Sequence, residues 1–309
     1  MNCCKIAILL STFNGIAYLD QLFDSIIKSQ TYSGDYTLFI RDDGSTDCTF
    51  DLIQEYASRY KQIELVDTSN RSNIGSVKSY FRLLQHARTR EKFDLFFFCD
   101  QDDIWLPDKI DKIVSVFKLH DPAVPMLVHS DLTVVSKDGK IIARSFWSYQ
   151  KIDPNRSSLN HLLVQNCVTG CSMAINQSLA NHLDYVPTRA IMHDWWIALV
   201  ASITGEIRYI RQSTMLYRQH DQNTVGAKKY AFRNALQKIK DKEAELNLID
   251  QAQELLVGYG HILNINRKVV EEFVSLKSSG WCRKLRIIIQ NKFYKNGFLR
   301  NLGWMIKKI

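Results

Sequence analysis

The 309-residue chain predicts an α/β fold: a Rossmann-like, mostly parallel sheet flanked by helices, with a helical extension at its C-terminal end. Two observations predict it. Strand-length apolar runs alternate with stretches of helical apolar spacing through the first third of the chain, the rhythm of βαβ units. Those runs end in polar turns rich in Asp, Asn, Ser and Gly, at the strand ends where open parallel sheets collect their ligands.

The elements follow in order. Residues 5–10 read as a buried strand closed by Ser11-Thr12-Phe13-Asn14-Gly15, and Tyr18, Leu19, Leu22, Phe23, Ile26 and Ile27 then recur at helical spacing. Residues 36–40 form the second strand, ending in Arg41-Asp42-Asp43-Gly44-Ser45-Thr46-Asp47, with Phe50, Leu52, Ile53, Tyr56 and Ala57 marking its helix. A third pair is the strand 63–66 and the helix 77–87. The fourth strand, 94–99, runs into Asp100-Gln101-Asp102-Asp103. Residues 126–142 read as strand-turn-strand around Lys137-Asp138-Gly139-Lys140, and 207–210 and 214–217 as two more short strands. From 230 to 272 the spacing is helical, through Phe232, Leu236, Ile239, Leu246, Ile249, Ala252, Leu255 and Leu256.

Composition narrows the class. Apolar residues make up 46% and charged residues 23%, which excludes global disorder, and 5 Pro with 13 Gly exclude collagen-like or linker-rich chains. The longest apolar runs, 6–10 and 95–99, are strand length, so no membrane-spanning helix is expected. Met1-Asn2-Cys3-Cys4-Lys5 lacks the pattern of a signal peptide. Seven cysteines without a C-x-x-C read as buried, reduced thiols of a cytosolic protein; Cys167 and Cys171 have no second pair to complete a zinc site.

Charge divides the chain. Residues 1–227 hold 23 Lys+Arg and 25 Asp+Glu, whereas residues 228–309 hold 17 and 7, so the +8 net charge comes from the C-terminal part. From Lys277 onward there are nine basic residues and no acidic one, interleaved with Trp281, Phe293, Tyr294, Phe298 and Trp304. That mixture suits an anionic membrane surface better than nucleic acid or a plain solvated face. Two regions are therefore expected: 1–227, carrying the strand-end clusters, and a helical, membrane-associating extension, 228–309.

Four clusters carry chemistry. Three carboxylates in Asp100-Gln101-Asp102-Asp103 repel one another unless a cation compensates, and their oxygens suit Mg²⁺ or Mn²⁺; helix capping is the plainer alternative. Asp42 and Asp43 could accept hydrogen bonds from a base or ribose, or simply cap the next helix. In His193-Asp194-Trp195-Trp196 the carboxylate is a candidate general base in a partly dry cleft, or a helix cap ahead of core Trp. In Tyr217-Arg218-Gln219-His220-Asp221-Gln222-Asn223, His220 could ligate a metal and Arg218 could meet phosphate bidentately, or the histidine could be a satisfied loop residue.

Their order, with Asn73-Ile74-Gly75 between the first two strand-end clusters, resembles that of the nucleotide-sugar glycosyltransferases of family 2, over residues 4–225. Cys99-Asp100-Gln101-Asp102-Asp103-Ile104-Trp105, His193-Asp194-Trp195-Trp196 and Tyr217-Arg218-Gln219-His220 look like the rhamnosyltransferase-like branch that builds bacterial surface polysaccharides such as O-antigens, capsules and rhamnans. The resemblance implies the glycosyltransferase A fold. It implies donor nucleotide binding by Thr12, Phe13, Asp42, Asp43, Asn73, Gly75 and Asp100, with Arg218 beside them. It implies a metal at Asp102 and His220, a catalytic base at Asp194, and an acceptor side at Thr169, Gly170, His193 and Trp195. Lys78 lies near enough in sequence to Gly75 to reach phosphate.

The implied reaction is inverting: Asp194 deprotonates an acceptor hydroxyl, which displaces the diphosphate of a nucleoside-diphosphate sugar, dTDP-L-rhamnose first among donors. The implied acceptor is a polyprenyl-diphosphate-linked saccharide at the inner face of the bacterial cytoplasmic membrane, with no nucleic-acid partner. A UDP-sugar-dependent glucosyl- or galactosyltransferase is the alternative donor reading, and a noncatalytic sugar- or membrane-binding module the distant one. A nucleotidyltransferase would need a Gly-rich, basic phosphate loop after the first strand, where Ser11-Thr12-Phe13-Asn14-Gly15 stands instead.

Overall fold

In the computed structural model, which describes residues 4–28, 30–220 and 242–306, a single sheet divides the apolar side chains into two cores. Its first half is parallel: β1 (Ile6–Thr12), β2 (Tyr36–Asp42), β3 (Ile63–Leu65) and β4 (Leu95–Cys99) lie in the order β3-β2-β1-β4. The crossovers are α1 (Ile16–Ile27), α2 (Thr49–Arg59) and α3 (Ser76–Arg90). Beyond β4 the sheet is mixed. With β5 (Ile104–Trp105), β6 (Met126–Ser136), β7 (Ile141–Ala143), β8 (Met173–Asn176) and β9 (Glu206–Gln219), the order continues β4-β8-β6-β9-β5, and β7 flanks β6. Strand β8 is antiparallel to both β4 and β6, and β9 is parallel to β6.

The two strands expected at 207–210 and 214–217 are one strand. Ser130 pairs with Ile210 but Asp131 with Ser213, so β9 bulges between them, and the polar residues of the bulge split the apolar pattern.

The remaining helices are α4 (Lys109–Phe117), α5 (Phe146–Gln150), α6 (Leu159–Leu162), α7 (Gln177–Ala180), α8 (His193–Thr204), α9 (Lys242–Tyr259), α10 (Asn266–Ser275), α11 (Trp281–Gln290) and α12 (Phe298–Ile306). The period-2 alternation of β1 sorts the faces: Ile6, Ile8 and Leu10 point to one core, Ala7 and Leu9 to the other. The first core packs against α1 and α4; the second takes α3, α8 and the C-terminal helices.

That second core modifies the reading of the basic tail. Phe293 and Trp304 are buried in it, whereas Trp281 and Phe298 stay exposed. Lys284 and Lys295 lie 5.1 and 4.9 Å from the Trp304 ring centroid, so part of the basic–aromatic interleaving is internal. The thiols also divide: Cys99, Cys167 and Cys171 are buried, but Cys48 and Cys282 are exposed. The expected helical residues Phe232, Leu236 and Ile239, the 227/228 boundary and Asp221-Gln222-Asn223 fall outside the described residues. No helix among the described residues is long and apolar enough to cross a membrane.

Candidate active site

The loops after β1 and β2 are stitched to each other. Thr12 pairs with Asp42 in register, and its hydroxyl donates to Asp42 Oδ1 at 3.2 Å. Asp42 also accepts from the Ser45 amide at 3.0 Å and from the Ser45 hydroxyl, which fixes the turn into α2. Asp43 accepts from the amides of Ile74 (2.8 Å) and Gly75 (2.9 Å) and from the Arg41 guanidinium, which also donates to Ser72 O at 2.9 Å. Asp43 thus holds the Asn73-Ile74-Gly75 loop against the end of β2. Gly75 has φ +82°, a conformation that L side chains rarely adopt, so the turn needs glycine there. Phe13 is exposed at the rim, with its backbone N and O fixed by Gln101 Oε1 (2.8 Å) and Nε2 (2.9 Å). Lys78 is exposed and lines, with Arg41, Asn70 and Arg82, a cavity of about 250 Å³.

Asp100 and Asp102 follow β4. The Tyr80 hydroxyl lies 2.7 Å from Cys99 O and 2.8 Å from Asp100 Oδ1. Burial, and next the Asp102 charge, push the Asp100 carboxyl up to about 6. Asp102 Oδ2 is 2.8 Å from His220 Nε2, and the His220 ring stacks on Tyr18 with centroids 4.7 Å apart. The convergence of a carboxylate and an imidazole next to a second, strained carboxyl fits Mg²⁺ or Mn²⁺, whose positive charge would relieve the repulsion.

A second grouping, Asp100, Asp103 and Cys171, has ligand atoms within 4.8 Å of one another. Burial raises the Asp103 carboxyl and the Cys171 thiol well above their ordinary values. The buried Lys109 ammonium stands beside them, donating to Cys171 O at 2.8 Å. A hard cation in this grouping would also face the positive charge of Lys109.

Arg218 departs from the phosphate contact expected of it. It is buried, and its Nε, Nη1 and Nη2 donate to Asp102 O (3.0 Å), Lys137 O (2.8 Å) and Gln21 Oε1 (2.5 Å). Its backbone amide donates to Asp103 Oδ1 at 3.1 Å. With one N–H of each side-chain nitrogen donated to the protein, the guanidinium clamps the Asp102–Asp103 loop onto β9.

Asp194 lies in the first turn of α8, which Met192 caps. Its Oδ2 accepts from Gly170 N at 2.9 Å and its Oδ1 from Trp195 N at 2.6 Å. Burial, aided by the Asp100 charge, outweighs those two donors and pushes the carboxyl up to about 7. His193 is buried and stacked on Tyr80, with ring centroids 3.9 Å apart; burial depresses it to about 3, so the imidazole is neutral. A Cβ on Gly170 would come within 2.6 Å of His193 Nε2, so this ring requires glycine opposite it. Trp195 is anchored by its indole N–H on Leu162 O at 2.6 Å, and Thr169 O receives Ser172 N at 3.0 Å.

The sequence offers Tyr80, Gln101, Tyr18 and Gln21 no role in the site, yet each touches a candidate residue. Tyr80 offered one signal: a phenol at a buried helical position needs a partner for its hydroxyl.

The half-parallel α/β sheet thus gathers Asp42, Asp43, Asp100, Asp102 and His220 at the ends of its strands. Residues 7–182, more than half of the chain, match the model of Glycosyl transferase family 2, and the chain belongs to that family: it is a glycosyltransferase. It is similar to the dTDP-rhamnosyl transferase RfbG of Shigella flexneri, 28% identical over 229 residues that cover 71% of this chain and 74% of that one. An uncharacterized glycosyltransferase of Nostoc is 27% identical over 228 residues, 71% of this chain and 66% of that one. Among solved structures, S. aureus TarS 1-349 in complex with UDP-GlcNAc aligns with a TM-score of 0.56 at 13% identity, covering 97% of this chain and 90% of that one. The mannosyltransferase PcManGT of Pyrobaculum calidifontis, in complex with GDP-Man and Mn²⁺, aligns at 0.55 and 16% identity, covering 94% and 74%. These likenesses establish the glycosyltransferase A type of fold.

Proposed function

We propose that the enzyme transfers L-rhamnose from dTDP-L-rhamnose, with inversion, to a polyprenyl-diphosphate-linked saccharide during bacterial surface-polysaccharide synthesis, working at the inner face of the cytoplasmic membrane. The observation that carries the transfer step is Asp194: a carboxyl held by two backbone amides and poised near 7 can take a proton from a hydroxyl at neutral pH. The name of the Shigella relative supports the sugar.

Thr12, Phe13, Asp42, Asp43, Asn73 and Gly75 form the nucleoside wall, held by the Thr12–Asp42, Asp43–Gly75 and Asn73–Gly75 bonds and by Gln101 on Phe13. Asp102 and His220, beside Asp100, would hold Mg²⁺ or Mn²⁺, which when bound supplies positive charge to the leaving diphosphate. Arg218 and Gln101 keep that loop in place. Half-buried Thr169 and Trp195 face the acceptor, Gly170 and His193 are packed behind them, and neutral His193 adds no charge to compete with the base. Asp194 removes the acceptor proton, the acceptor oxygen bonds to the anomeric carbon, and the bond to the diphosphate breaks on the opposite face. Residues 1–227 act as the catalytic region, and the helices after residue 228 buttress α8 and carry the membrane-facing surface.

A UDP-sugar donor is the second reading, since the TarS structure that this chain matches along most of its length contains UDP-GlcNAc. A thermal-shift panel decides between them. A donor present at about 100 times its Kd stabilises the fold by about 2.7 kcal/mol. Stabilisation by dTDP-rhamnose, lost with EDTA, supports rhamnose; stabilisation by UDP-glucose, UDP-GlcNAc or GDP-mannose alone replaces it.

A further inference from the structure

The second core leaves the outer faces of the last two helices uncovered among the described residues. On α11, Trp281 is 54% and Ile289 56% exposed, two turns apart, with Arg283 and Arg286 exposed beside them. On α12, Phe298, Leu302 and Ile306 recur every fourth residue at 79%, 43% and 59% exposure, with Leu299 alongside. Isolated exposed apolar residues need no explanation, but a repeat along one helix face does. Both helices are fixed from behind. Trp304 and Ile288 lie in the core, and Arg300 donates to Gln150 O at 2.7 Å and Lys151 O at 3.0 Å, tying α12 to α5. The strips are therefore rigid features of the fold.

Charge selects the occupant. From Lys277 to the end of the chain there is no acidic residue, so an acidic surface meets no repulsion there. A second copy of this chain would set these basic helices against each other. We propose that the exposed strips of α11 and α12, Trp281, Ile289, Phe298, Leu302 and Ile306, dock the enzyme on an anionic lipid bilayer, the apolar side chains entering the interface while Arg283, Arg286 and Lys292 meet lipid phosphates. This deepens the proposed membrane-side function by assigning its surface. It does not depend on which sugar is moved.

The test is vesicle co-sedimentation of the full chain on phosphatidylcholine vesicles, with and without about one-third phosphatidylglycerol. The expected result is binding only with the anionic lipid. It should fall by more than about tenfold in Arg283→Glu/Arg286→Glu and likewise in Phe298→Ser/Leu302→Ser/Ile306→Ser, with melting temperature and donor-induced thermal shift unchanged. Wild-type binding by either variant overturns the surface, and equal binding to neutral vesicles overturns the role of charge. A wild-type dimer in light scattering that the triple variant dissociates assigns α12 to a second copy and overturns the proposal. Loss of every donor shift with vesicle binding intact would sink the donor reading and leave this one standing.

Discussion

The Tyr80 ring stacks on the His193 ring at a centroid distance of 3.9 Å, while the same residue's hydroxyl lies 2.8 Å from Asp100. One side chain of α3 therefore touches both halves of the site: the carboxylate loop after β4 and the first turn of α8, where Asp194 sits. The phenol has a single proton for two acceptors, Asp100 Oδ1 and Cys99 O. A protonated Asp100 satisfies all three atoms, and an ionised one does not. Burial and the Asp102 charge raise the Asp100 carboxyl, and the Tyr80 bond opposes that rise.

Tyr80→Phe should separate the two contacts. The ring and its stacking on His193 remain, and only the hydroxyl is lost. The expected cost is about 1–2 kcal/mol of stability, since Cys99 O and Asp100 lose a buried partner. The Mn²⁺ concentration for half-maximal activity should rise, because Asp100 is no longer oriented. Tyr80→Ala also empties the space against His193 and should cost about 3–5 kcal/mol. Urea melts and a Mn²⁺ titration of activity measure both. An unchanged metal requirement in Tyr80→Phe would reduce the hydroxyl to a purely structural role.

Gly170→Ala should be disproportionately harmful for one methyl group. The new Cβ would sit 2.6 Å from His193 Nε2, and Tyr80 and Phe98 stack against that ring. A forced repacking of this kind costs about 1–3 kcal/mol, and any shift of the Gly170 amide disturbs its bond to Asp194. The clash disappears when the ring does, so Gly170→Ala should cost less in a His193→Ala background. A double-mutant cycle of stabilities reads this directly; additive costs would mean that the two residues do not meet.

Arg218→Lys tests whether this cation positions a loop or binds phosphate. Lysine cannot span Asp102 O, Lys137 O and Gln21 together. Stability should therefore fall by about 2–4 kcal/mol, and metal-dependent turnover with it. A fold of wild-type stability with only the donor KM raised would instead restore the phosphate contact.

What the sequence made legible, and what it did not, has a physical pattern. β1 and β4 are covered on both faces, so they appear as unbroken apolar runs, and the polar turns after them mark the site. β8 is only four residues long and enters antiparallel from a tight turn, leaving no periodic trace. β9 was divided in two because its bulge is polar. The carboxylates of the site were legible as motifs because clustered charge is costly and therefore conspicuous. Their partners were not. Tyr80 lies among Leu83, Leu84 and Ala87 at core spacing, which helix packing alone explains, and Gln101 stands between two aspartates that draw the attention. Arg218 was visible as a cation, but only the fold shows that its partners are carbonyls far along the chain.

The pH dependence of turnover follows from Asp194. As the base it acts only when deprotonated, so with its carboxyl pushed up to about 7, kcat/KM should rise with unit slope as pH increases toward 7 and level off above. Stability should run the other way. A carboxyl whose folded pKa exceeds its unfolded value of about 4 holds its proton more tightly when folded. Its contribution is fully present below about pH 4 and is lost as pH rises through 7. Asp194→Asn cannot titrate, so the stability difference between wild type and variant should shrink over that same window. Turnover should drop by about 10²–10⁴ in the variant while the donor-induced thermal shift remains. Urea melts and initial rates across pH 4–9 give both curves. The midpoint of the rise in rate should coincide with the pH at which the fall in relative stability levels off, because both mark the proton leaving the folded-state carboxyl; a rate midpoint away from that pH would assign the base to another residue.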